Sequence, residues 1–121
     1  TNEITGASLG SNRITLPAGT YHVDAWANLV TGPTGGNHTD FHKAKLHNIT
    51  DIADTLIGSS ETIGGDISST GTNSIVRGRF TIAAQKSFEL QHNTTRSGEG
   101  GRAGSFSVVE VYAEVMVWKV A

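Results

Sequence analysis

Cysteine is absent from this chain of 121 residues. A small secreted domain stapled by disulfides is therefore excluded, and folding in a reducing cytoplasm is the expectation. Basic excess is also missing: 9 Lys and Arg stand against 11 Asp and Glu, a formal net charge of -2. A surface that must neutralise a phosphate backbone needs the opposite balance, so nucleic acid is not an expected partner. No apolar run approaches the roughly 20 residues that span a bilayer as a helix, which argues against membrane insertion. Neither a signal peptide nor a lipidation motif is visible. Helical periodicity is equally scarce. The best stretch, 48–58, is rich in Thr, Ile and Asp and carries no capped apolar stripe longer than a turn or two.

What the chain does hold is glycine, 15 residues against 2 prolines, with abundant Thr, Ser, Val and Ile. That mixture suits short strands joined by turns. Alternation recurs along the sequence. Ile14 and Leu16 begin it, and Pro17-Ala18-Gly19 closes that segment. From 20 to 29, Tyr21, Val23, Ala25 and Ala27 share one face, opposite His22, Asp24, Trp26 and Asn28. From 40 to 48, His42, Ala44 and Leu46 oppose Phe41, Lys43, Lys45 and His47. A shorter strand is expected at 55–58, and 59–73 reads as a long polar loop with at most an edge strand. From 75 to 83, Val76, Phe80 and Ile82 point one way while Arg77, Arg79 and Thr81 point the other. Phe88 and Leu90 continue the pattern. The segment 108–120 is expected to be the longest strand, with Val109, Val111, Ala113, Val115 and Val117 on one face. Seven or eight short strands without a helix predict an all-β antiparallel sandwich or barrel in one domain over 1–121.

Four residues sit on faces where polar side chains would be expected. Trp26 lies opposite an apolar face, and Tyr112, Met116 and Trp118 lie opposite the valines of the last strand. Large amphipathic side chains there are typical of protein interfaces. The plainer reading is that a single sandwich or a covering loop buries both faces.

Several clusters invite a chemical reading and each is weak. His38, Asp40 and His42 would project from one side of an extended segment, with His22, His47 and His92 elsewhere, but no cysteine supports a metal site and none is expected. Glu110 and Glu114 share a strand face at about 13 Å by strand rise. A glycosidase pair needs roughly 5–10 Å. Gly58-Ser59-Ser60 and Gly104-Ser105-Phe106 lack the glycines of a nucleophile elbow. The run from Gly98 to Gly104 lacks the Lys-Ser/Thr of a phosphate loop. No catalytic residue and no cofactor are therefore expected. The glycine-rich loops at 31–37 and 94–105 suit recognition instead. Asn37, His38, Asp40, Arg96, Glu99 and Arg102 are the candidate ligand contacts there. Asn-x-Ser/Thr triplets at Asn37, Asn48 and Asn93 read as accidents of composition.

The string Ile14-Thr15-Leu16-Pro17-Ala18-Gly19-Thr20-Tyr21 resembles the start of C1q- and tumour-necrosis-factor-like jelly rolls, a pattern shared by C-terminal domains of bacteriophage tail fibres and tailspikes. Lys43 to Asn48, Val76 to Ile82, and Glu110 to Lys119 extend the resemblance in order along most of the chain. It implies a ten-stranded jelly roll, a homotrimeric knob with Trp26, Tyr112, Met116 and Trp118 at the trimer interface, and a place on the virion after folding in the host cytoplasm. A chain starting at Thr1 would then be the C-terminal piece of a longer fibre protein. Two functions follow from the resemblance. One is attachment to a bacterial surface receptor such as lipopolysaccharide, capsule or another glycan. The other is a folding clamp that trimerises the fibre without binding a receptor. A catalytic domain and a cytokine-like ligand are the more distant alternatives.

Overall fold

The computed structural model describes residues 3–31, 39–64, 70–95 and 111–121. They form eight strands and no helix: β1 (Ser8–Gly10), β2 (Arg13–Leu16), β3 (Gly19–Thr31), β4 (Thr39–Asn48), β5 (Ala53–Gly64), β6 (Thr70–Ile82), β7 (Lys86–Thr94) and β8 (Ala113–Lys119). They build two antiparallel sheets, a five-stranded one in the order β1-β2-β7-β4-β5 and a three-stranded one in the order β6-β3-β8. From β2 onward the chain changes sheet at every connection except β4–β5. The result is an antiparallel β-sandwich with jelly-roll-like crossings, in eight described strands where the resemblance implies ten.

Local chemistry sets the corners. Gly10 pairs with Arg13 across a two-residue turn. Ser11 and Asn12 there both have positive φ, 50° and 61°, the geometry whose twist matches a tight hairpin. At the crossing from β2 to β3, the buried Tyr21 hydroxyl donates to the Pro17 carbonyl at 2.7 Å. Gly19 has φ of 156°, and a Cβ there would meet Lys119 Cε at 2.7 Å and the Ala121 carbonyl oxygen at 2.9 Å. The C-terminus thus lies against the start of β3, where Thr20 N–H donates to the Ala121 carbonyl.

Inward residues from both sheets interdigitate in one core. Tyr21, Val23 and Ala25 of β3 meet Leu16, Ala44, Leu46, Val76 and Phe88. Phe80 bridges Tyr21 and Phe88, with ring centroids 5.8 and 5.2 Å away. The pairing of β4 with β5 slips twice, between Lys43 and Lys45 and between Leu46 and His47. Near the first slip, Ala44 N–H donates to the buried Ser74 hydroxyl at 2.8 Å, and that hydroxyl donates to the Ser59 carbonyl at 2.6 Å. A serine of the three-stranded sheet therefore satisfies backbone groups of the five-stranded one, as a buried break in a ladder requires.

Two expectations need correction. The segment 59–73 is not a long loop: β5 runs to Gly64 and β6 begins at Thr70. Its polar residues are tolerated because much of this stretch has one side toward solvent. The last strand is not the longest among the described residues, since β8 spans 7 residues against 13 in β3 and in β6. The positions 108–110 lie outside the described residues.

Candidate functional site

The pairing of β3 with β6 and β8 decides what its even-numbered residues share a face with. Trp26 lies between Ile75 and Glu114, Asp24 between Arg77 and Met116, and His22 between Arg79 and Trp118. Asn28 N–H donates to the Tyr112 carbonyl at 3.0 Å, which extends the array by one row. Of the four predicted interface residues, Trp26, Met116 and Trp118 thus come from two strands to the outward face of one sheet, and Tyr112 lies just before β8, opposite Asn28. Trp118 is 47% exposed, Ile75 46%, Met116 36% and Tyr112 36%, while Trp26 is half-buried.

Polar groups on this face are largely tied to one another. Arg77 donates from Nη2 and Nε to Asp24 Oδ2 at 2.6 and 3.0 Å. Trp26 Nε1 donates to Glu114 Oε2 at 3.2 Å. Asn28 Nδ2 donates to Asn73 Oδ1 at 2.7 Å, and the His22 and Trp118 rings lie 5.8 Å apart. A face of aromatics, Met, Ile and Arg with its central charge already paired can be covered without stranding that charge. Ile75 was missed by sequence reasoning. Its signal was present, because it has the opposite parity to the inward Val76.

The predicted ligand contacts fare differently. Asn37, His38, Arg96, Glu99 and Arg102 lie outside the described residues. Asp40 is 6% exposed and sits on the inward side of β4 with His42, so it is not displayed as a surface contact. The physical reason is its parity: it belongs to the alternating set that continues through Ala44 and Leu46 into the core. Glu110 also lies outside the described residues, so its separation from Glu114 is not defined.

Two of the candidate histidines do meet. His42, 2% exposed, places Nδ1 at 2.8 Å from His92 Nε2, and its Nε2 lies 2.7 Å from Thr72 Oγ1. Burial holds the His42 imidazole below its usual pKa, with Glu61 opposing that shift. Desolvation, then the adjacent His42, does the same to His92. One proton can occupy the contact between the two rings; two protonated rings would set N–H against N–H. Among the described residues, no three His, Asp or Glu side chains gather in a way that could hold a metal ion.

A scan against protein-family models matches none, and a search of curated proteins finds no significant relative.

Proposed function

We propose that this domain is a receptor-binding knob of a bacteriophage tail fibre or tailspike, non-enzymatic, that assembles as a homotrimer and attaches the virion to a bacterial surface glycan. The observation that carries the reading is the outward face of β6-β3-β8. An exposed patch of Trp118, Met116, Tyr112 and Ile75 around an internally paired Asp24–Arg77 is costly to leave in water and suited to a second copy of the chain. A cyclic assembly repeats one interface and closes it, which covers that face on every copy. Three weak receptor sites on one trimer would then act together, so that avidity exceeds single-site affinity. The resemblance of the Leu16-Pro17-Ala18-Gly19-Thr20-Tyr21 region to tail-fibre domains supplies the biological setting.

Light scattering after size exclusion tests the assembly. The expected mass is three times the chain's 12.7 kDa. A monomer at micromolar concentration would overturn the reading. Adhesion of the isolated trimer to bacterial cells then separates the knob from the clamp: a trimer that adheres to no cell acts only in assembly.

A further inference from the structure

The other sheet presents an outward surface with a different character. β4 lies between β5 and β7, and residues of these strands and Thr95 just after β7 line a groove of about 830 Å³. One register row across it consists of Ser60, Lys43 and Asn93. These three side chains, a hydroxyl, an ammonium and an amide, have no partner among the described residues. At ordinary strand spacing the row is about 10 Å wide. Phe41, 53% exposed, flanks it on one side, and Ile57, 55% exposed, on the other. Gln91 stands beside Lys45 in the next row.

Charge on this surface is uneven in a useful way. Asp54 is occupied by Lys45 at 2.8 Å and His47 at 2.6 Å, and Glu89 by Arg13 at 2.9 Å. Lys43 is left as a cation without a carboxylate among the described residues. Because β4 is a central strand, its backbone groups are engaged on both sides, so a ligand meets side chains only. That disfavours an extended peptide, which binds best through backbone bonds at a sheet edge. It favours a molecule with many hydroxyls, an apolar ring face for Phe41 and a negative group for Lys43.

We infer that this groove is a binding site for an acidic oligosaccharide, with Lys43 meeting its carboxylate or phosphate, Ser60, Asn93 and Gln91 its hydroxyls, and Phe41 the apolar face of a sugar ring. The inference rests on the glycan-attachment reading and moves the site from the glycine-rich loops to rigid strands. The groove lies on the five-stranded sheet, not on the β6-β3-β8 face proposed for assembly.

The experiment uses the whole chain and two probes, tetragalacturonate as the acidic sugar and maltotetraose as a neutral one of equal length. Backbone amide NMR shifts are expected around Lys43, Gln91 and Asn93 with tetragalacturonate and to be weaker with maltotetraose. Phe41→Ala and Lys43→Gln should each weaken binding about tenfold, the size of one lost charged hydrogen bond or one uncovered ring. Both residues are exposed, so melting temperature and mass should not change. Shifts confined to other surfaces, or unchanged affinity in both variants, overturn the groove. If the two variants adhere to bacteria as well as the parent chain does, the groove is again overturned while the attachment reading stands. Tetragalacturonate binding at the groove by a chain that adheres to no bacterium supports the site and removes the attachment reading instead.

Discussion

The outward faces of the two sheets are made by the same alternation and carry different chemistries. On β6-β3-β8 the outward residues include Trp26, Ile75, Met116 and Trp118 around the Asp24–Arg77 ion pair, with His22, Arg79, Asn28 and Glu114 beside them. On the five-stranded sheet they are mostly charged or amide side chains, with Lys45, His47 and Arg13 engaged by Asp54 and Glu89. Strand formation needs only an apolar inner face, and both sheets have one. The outer faces are therefore free to differ, and under the proposed reading one meets a second copy of the chain and the other water or a hydrated ligand.

The join between the sheets is where this division is easiest to destroy. A Cβ on Gly58 would lie 2.7 Å from the Ala44 carbonyl oxygen, 2.8 Å from Val76 Cγ2 and 3.0 Å from the Ile75 carbonyl oxygen. Two of these neighbours are backbone and cannot swing away. Gly58→Ala should therefore destabilise the domain by about 3 kcal/mol in urea unfolding, and both faces should be lost in one transition.

A substitution on one face should leave the other intact. If the proposed trimer forms through this face, Trp118→Glu combined with Met116→Glu should reduce its mass to that of a single chain. Lys45→Glu on the opposite sheet should leave the mass unchanged. Equal effects from both would dissolve the distinction drawn between the faces.

Acid probes the interior between them. The folded protein disfavours protonation of His42, so the unfolded chain takes up more protons as pH falls through the ordinary histidine value of 6.5. Stability should therefore decline from about pH 6.5 downward until the depressed folded value is passed. A second decline belongs to Asp51, Asp54 and Glu89, whose bonds to Lys86, Lys45 and Arg13 respectively hold them below the usual carboxylate range. Their contribution is present above their unfolded values and is lost as pH falls through the folded ones. Melting temperatures across pH should show the upper step shrink in His42→Gln, the part owed to the desolvated His92 remaining, and the lower one persist.

The smallest expected effect is a gain. Ile52 is 85% exposed and has φ of 54°, a conformation that a β-branched residue resists. Asn tolerates it, so Ile52→Asn should stabilise the domain by about 1 kcal/mol without altering either face. An unchanged or lower midpoint of denaturation would show that Ile52 makes a contribution its exposure conceals.

Much of the sandwich was legible before folding. The inward sets Tyr21-Val23-Ala25-Ala27 and His42-Ala44-Leu46 follow from a period of two, and so do the outward positions of Trp26, Met116 and Trp118. The extent of β5 and β6 was not legible, because 59–73 is polar and glycine-punctuated and its pairing comes from distant partners such as Thr72 opposite Leu29. Asp40 misled for a related reason, since a carboxylate beside a glycine-rich loop suggests solvent while its parity turns it inward. The Ser60-Lys43-Asn93 row was invisible because its members are far apart in sequence.

Alternation is a local property, so the amino-acid sequence alone determined the all-β class and which side of most strands is apolar. Pairing is not local. Only the tertiary structure set β8 beside β3, gathering Trp26, Met116 and Trp118 onto one face, and set β4 between β5 and β7, where Ser60, Lys43 and Asn93 meet with no partner among the described residues. Each strand's own pattern is satisfied by many neighbours, and burying every apolar face at once is what selects among them.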